Sequence, residues 1–164
     1  MSSISELQLR QRALTIRRHI ITMLSEAESG HSGGALGMTD IFTALYFGGL
    51  LKYDPQQPTW SERDYLLLSN GHTCPVLYST LAEAGYFPLR ELLTLRQINS
   101  RLQGHPQYAS LPGVESSSGP LGQGLSQACG LAYGLKLDKR NNHVFCITSD
   151  AEHQEGQTWE AYMF

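Results

Sequence analysis

No segment of this 164-residue chain approaches the roughly 20 consecutive apolar residues that a membrane-spanning helix needs. The opening Met1-Ser2-Ser3-Ile4-Ser5-Glu6 lacks the apolar core of a secretory signal. Together these absences lead to the expectation of a cytoplasmic protein with no membrane partner. An excess of positive charge is missing as well: 12 Lys and Arg stand against 15 Asp and Glu, a net charge of −3. With no run of five like charges, nothing resembles the basic footprint that neutralises nucleic-acid phosphates. Cysteine is scarce, and Cys74, Cys129 and Cys146 are odd in number, far apart and set among apolar residues. That pattern fits reduced core thiols better than disulfides or a zinc knuckle. Internal repeats and interdomain linkers are also lacking, while a 41% hydrophobic content is enough for one domain with a real core.

What is present is an alternation of helical and strand-like segments. From Ile4 to about Ala27, Leu7, Leu14, Ile20, Ile21 and Leu24 recur with helical spacing, with Arg10, Arg12, Arg17 and Arg18 largely off that stripe. A second helix is expected after Thr39, whose hydroxyl is placed to act as N-cap, and Gly48-Gly49 stops it. Asp64 to Ser69 reads as a strand buried on both faces of a parallel sheet, followed by a helix from Cys74 to Ala84. The run from Gly104 to Gly119 is rich in Gly, Pro and Ser and reads as a long functional loop. A helix over Gln123–Lys139, a second buried strand over His143–Thr148 and the opening of another helix at Trp159–Phe164 complete the chain. This order predicts an α/β fold, a parallel sheet with helices on both faces. Ligands of such sheets gather beyond the carboxyl ends of the strands, here after Ser69 and after Thr148.

Three histidines follow glycines, in Gly30-His31, Gly71-His72 and Gly104-His105. Glycine lets backbone come close to a ligand, and neutral imidazoles near pH 7 can donate, accept and transfer protons around a polar substrate. A three-histidine zinc site is the competing reading, and it would suit a metal hydrolase. Ser149-Asp150-Ala151-Glu152, delivered by the second strand, places a carboxylate where it could ligate magnesium beside a phosphate. The same residues could equally be a helix start, with Ser149 or Asp150 as cap. Ser116 to Gly124 forms a Gly-rich turn opening a helix, where unpaired N–H groups could meet an anion or a heterocycle.

In order, Ser29-Gly30-His31-Ser32-Gly33-Gly34, Leu68-Ser69-Asn70-Gly71-His72, Gly104-His105-Pro106, Leu111 through Gly124, and Ser149-Asp150-Ala151-Glu152 with Glu155-Gly156 resemble the N-terminal part of transketolase. The likeness covers nearly the whole of residues 1–164, and is greatest to the N-terminal subunit of a transketolase split into two chains. The Pro112-to-Gly124 run fits this family better than the sister deoxyxylulose-phosphate synthases.

The resemblance implies a thiamine diphosphate-binding fold, incomplete at its C-terminus, working with Mg²⁺ or Ca²⁺. It implies catalytic roles for His31, His72 and His105. Cofactor contacts would come from His72, Gly119, Leu121, Asp150, Ala151 and Glu155, with Asp150 as metal ligand and Glu155 and Glu160 in an acidic network at a dimer interface. The implied activity is transfer of a two-carbon ketol unit between sugar phosphates, completed by a C-terminal subunit or the remainder of the chain in a homo- or hetero-oligomer. An inactive, truncated transketolase-like product is the alternative. One departure bears on affinity: the family's Gly-Asp-Gly stands here as Ser149-Asp150-Ala151, adding a Cβ where backbone approaches the diphosphate.

Overall fold

The computed structural model describes residues 4–164; the polar opening Met1 to Ser3 lies outside the described residues. The first helix, α1 (Glu6–Ala27), starts at a reciprocal cap in which Ser5 Oγ accepts the Gln8 amide and Gln8 Oε1 accepts the Ser5 amide. It ends where Glu28 turns left-handed at φ 49°. Its buried face is Ala13, Ile16, Ile20 and Met23, which shares Ile20 with the expected stripe and has Leu24 packed against it, whereas Leu7, Leu14 and Ile21 are exposed. Both sets repeat at helical spacing, so periodicity alone cannot choose between them. The arginines do work from the flanks, with Arg12 on Glu83 and Arg17 on Asp40, each at 2.7 Å.

A short helix not expected from the Gly-rich sequence, α2 (Ser32–Gly37), leads directly into α3 (Thr39–Phe47). Thr39 does not cap α3. Its hydroxyl donates instead to the Ala35 carbonyl at 3.1 Å, because α2 already supplies the preceding turn and an acceptor lies one turn back.

Strand β1 (Tyr65–Leu68) is followed by α4 (Cys74–Glu83), which is buried over almost its whole length. After a 3-10 turn at Leu89–Thr94 and a long loop come α5 (Gly124–Leu137), β2 (Val144–Ile147) and α6 (Gly156–Met163). The last begins three residues earlier than expected. β1 and β2 pair in parallel, Tyr65 opposite Val144 and Leu68 opposite Ile147. Asp64 aligns their entry, its carboxylate accepting the His143 amide at 2.7 Å and the Lys52 amide at 2.9 Å.

Alternation along the strands divides the core. Leu66, Leu68, Phe145 and Ile147 join the cluster built by α1, α3 and α4, while α5 packs against both strands from the other side. The expected parallel sheet with helices on both faces is therefore present. β1 is buried as expected, but β2 is only half-buried throughout, since it pairs with β1 alone among the described residues. The long loop is pinned rather than loose: Leu111 and Val114 enter the core, and Ser118 donates to the Pro106 carbonyl at 3.1 Å. The cysteines are free thiols, and burial pushes Cys74 and Cys146 up to about 12.

Candidate active site

Beyond the carboxyl end of β1, Ser69 and Asn70 are almost fully buried and Gly71–Thr73 forms a 3-10 turn that carries His72. His31 stands at the start of α2, and its ring meets the His72 ring edge to face, centroids 5.5 Å apart. A glycine makes this approach possible: a Cβ on Gly34 would stand 2.8 Å from the Thr73 methyl, so α2 can sit directly on the turn. His105 lies over Gly119, whose missing Cβ would be 3.8 Å from the imidazole Cγ. Partial burial, then the Arg96 guanidinium, then the other two histidines lower the pKa of His105, which favours a neutral ring at pH 7. Gly71 brings the two halves together, since a Cβ there would stand 2.6 Å from Ser118 Oγ and 3.0 Å from the Gly119 nitrogen. The three histidines singled out in the sequence thus converge on one place.

Arg96 belongs to that place but carries no sequence signal, being a lone arginine in a loop. It adopts φ 63°, and its Nε lies 2.9 Å from where Gly104 would carry a Cβ, beside His105.

Glu152, which the sequence presents only within Ser149-Asp150-Ala151-Glu152 and with no role of its own there, is fully buried in a 3-10 turn at Ala151–Gln154. Its Oε1 accepts the Ser69 hydroxyl and the Gly122 amide, the latter at 2.9 Å. Its Oε2 accepts the Ser149 amide at 2.7 Å and the Ser149 hydroxyl at 3.1 Å. The Gly124 amide in turn donates to Ser69 Oγ at 2.9 Å. Burial opposes ionisation, but these hydrogen bonds outweigh it and hold the carboxyl below its ordinary range.

This arrangement corrects the expectation of a generally unpaired Gly-rich turn. The Gly122 and Gly124 amides are consumed inside the protein, because a buried carboxylate and a buried hydroxyl both need partners. The Gly119 and Leu121 amides have no intramolecular partner among the described residues, and the Leu121 carbonyl accepts Gln157 Nε2 at 3.2 Å. Asn70 Oδ1 and Ser118 Oγ, next to the histidines, are buried without a partner.

Asp150 follows β2 at the same sheet end, but it is exposed, as are Ala151, Glu155 and Glu160. Asp150 stands at the N-cap position of the helical turn that follows but makes no side-chain cap bond, and the Ser149 hydroxyl donates to Glu152. Among the described residues no three His, Cys, Asp or Glu side chains are placed to share one metal ion, so the three-histidine metal reading has no supporting geometry.

Comparison with known proteins agrees with this layout. Residues 9–164 match the family described as transketolase, thiamine diphosphate binding domain. The chain is 40% identical over 159 residues to the 6-deoxy-6-sulfo-D-fructose transketolase subunit SqwG of Clostridium sp. (strain MSTE9), covering 97% of this chain and 58% of that one. It is 47% identical over 121 residues to transketolase 2 of Escherichia coli, covering 73% of this chain and 18% of that one. The crystal structure of transketolase from Campylobacter jejuni superposes with a TM-score of 0.89 at 35% identity, over 96% of this chain and 26% of that one. The chain therefore spans a little over half of one curated relative and about a quarter or less of the longer ones. From its histidine-bearing turns, its parallel sheet and this match over nearly its whole length, the chain belongs to the transketolase family, to its thiamine diphosphate-binding domain.

Proposed function

We propose that this chain supplies the diphosphate-binding part of a transketolase that moves a two-carbon ketol unit between sugar phosphates, and that a C-terminal subunit or further chain completes the enzyme. The observation that carries this reading is the convergence of His31, His72 and His105 at the carboxyl end of the sheet, against the Ser118–Gly119 backbone. Similarity to a protein named as a transketolase subunit supports the division into two parts.

The residues present fit thiamine diphosphate. Unbonded Gly119 and Leu121 amides, a buried Ser118 hydroxyl without a partner and a glycine floor beneath His105 suit a flat polar heterocycle and an anion. When bound, the cofactor supplies the carbon that carries the transferred unit. The three imidazoles then bind and orient substrate hydroxyls, and a neutral His105 can take up or return a proton near pH 7. Asp150 is proposed as the protein carboxylate of a magnesium or calcium site. Magnesium commonly takes one or two carboxylates and fills the rest of its shell with phosphate oxygens and water. Ala151 and Glu155, exposed beside Asp150, are the remaining proposed contacts.

The decisive experiment assays ketol transfer by the purified chain alone and after addition of a C-terminal transketolase subunit. The chain alone should be silent and the mixture active. Activity of the chain alone would overturn the need for a second part, whereas a silent mixture that still binds thiamine diphosphate would mark a catalytically inactive product.

A further inference from the structure

The carboxylate of Glu152 touches the end of β1, the end of β2 and the Gly-rich turn at once. We infer that Glu152 is the positioning residue of the turn Gly119–Gly124, holding the free Gly119 and Leu121 amides in place relative to the histidines. The cofactor side of this inference rests on the reading proposed above.

Donor counting shows why the residue is a glutamate. Oε1 takes the Gly122 amide and the Ser69 hydroxyl, while Oε2 takes the Ser149 amide and hydroxyl. Ser69 Oγ already accepts the Gly124 amide, so its own proton is left to point at Glu152. Four donors thus face two oxygens. An ionised carboxylate accepts at both, whereas an amide of the same shape would turn an NH₂ group toward donors on one side. The backbone is tied as firmly, with Thr158 Oγ1 donating to the Glu152 carbonyl at 2.7 Å and joining the hub to α6.

The turn has little else to hold it. Gly122 sits at φ 77°, and a Cβ there would stand 2.9 Å from the Cβ of Glu155, so this close, left-handed seat admits only glycine without displacement. Among the described residues, the side-chain bond that reaches the turn apart from those of Glu152 and Ser69 is that of Gln157 to the Leu121 carbonyl. Loss of the carboxylate would release the turn while leaving the His31–His72 pair, built by α2 and the Gly71–Thr73 turn, in place.

Amide hydrogen exchange by NMR on the full chain tests this directly, together with calorimetric titration of thiamine diphosphate in magnesium chloride. In Glu152→Gln, the amide of Gly122 or of Ser149 should exchange at least about tenfold faster, the scale of one lost charged hydrogen bond, with exchange in α1 and α4 unchanged. Thiamine diphosphate should bind at least about tenfold more weakly. Ser69→Ala is the second variant, usable if the first does not fold: Gly124 should lose protection while Gly122 keeps it. Unchanged exchange at these amides in a folded variant, or unchanged binding despite faster exchange, overturns the inference. If the wild-type chain binds no thiamine diphosphate even with a C-terminal transketolase subunit added, the functional reading fails, and the exchange measurements still decide whether Glu152 holds the turn.

Discussion

The His31 and His72 rings meet edge to face at 5.5 Å, although 41 positions separate them in the chain. The contact exists because β1 ends in the tight Gly71–Thr73 turn and because Gly34 lets α2 settle onto Thr73. Rings so placed can act together on one small molecule beside them.

Replacing His72 by Ala in a system completed by a C-terminal subunit should lower turnover by roughly a hundredfold, the scale of a lost acid–base or hydrogen-bonding partner. His143 is the internal control. Its ring is largely exposed at the opposite end of the sheet, 3.5 Å from Asp64, so His143→Ala should leave turnover nearly unchanged. Kinetics and melting curves of both variants check the contrast; equal losses would remove His72 from the site.

His105 should titrate below the ordinary histidine value of 6.5, because burial and then Arg96 disfavour its protonated form. The sign follows from linkage: with its folded pKa depressed, the group contributes stability that is complete above pH 6.5 and is lost as pH falls through the folded pKa. Arg96→Ala should move the midpoint upward, yet not fully to 6.5, since burial is the larger cause. An NMR titration of the imidazole protons in both proteins reads this; an unmoved midpoint would place Arg96 too far away to matter.

Gly71→Ala should destabilise the protein by roughly 1–3 kcal/mol, the usual cost of overpacking, since the new Cβ would press on Ser118 Oγ at 2.6 Å and on the Ser118 carbonyl carbon at 2.9 Å. Gly33, inside α2, faces nothing within 4 Å, so Gly33→Ala should be neutral or stabilising by up to about 1 kcal/mol. Chemical denaturation of the pair measures the difference; equal stabilities would contradict the close approach at Gly71.

The chain by itself should self-associate as concentration rises. Trp159, Tyr162, Met163 and Phe164 are all more than half exposed around α6, and Leu137 is 64% exposed at the end of α5. β2 also pairs on one edge alone among the described residues. Apolar patches and open edges of this kind favour association. Light scattering across a dilution series checks it, and a monomer at every concentration would refute it.

Local order was legible in the sequence because it is set within a few residues. α1, β1, α4 and β2 lie close to where periodicity, apolar runs and Gly stops put them, and the fold gathers the histidines at positions 31, 72 and 105 near the end of β1. The misses have physical causes. Ser32–Gly37 contains three glycines, so intrinsic propensity argued against a helix that tertiary contact with Thr73 stabilises. For α1, two overlapping stripes that share Ile20 competed, and packing against α3 and α4 selected the one with Ala13, Ile16 and Met23.

The residues themselves thus determined the elements, their order and the family motifs, because helix periodicity, capping and strand hydrophobicity act over one or two turns of chain. Only the tertiary structure decided which groups meet. Ser69 and Glu152 are 83 positions apart, and Gly122 and Glu152 are 30 apart. Parallel pairing of β1 with β2 brings both strand ends to one edge, where a carboxylate fully buried from bulk solvent is stable only with hydrogen-bond donors around it.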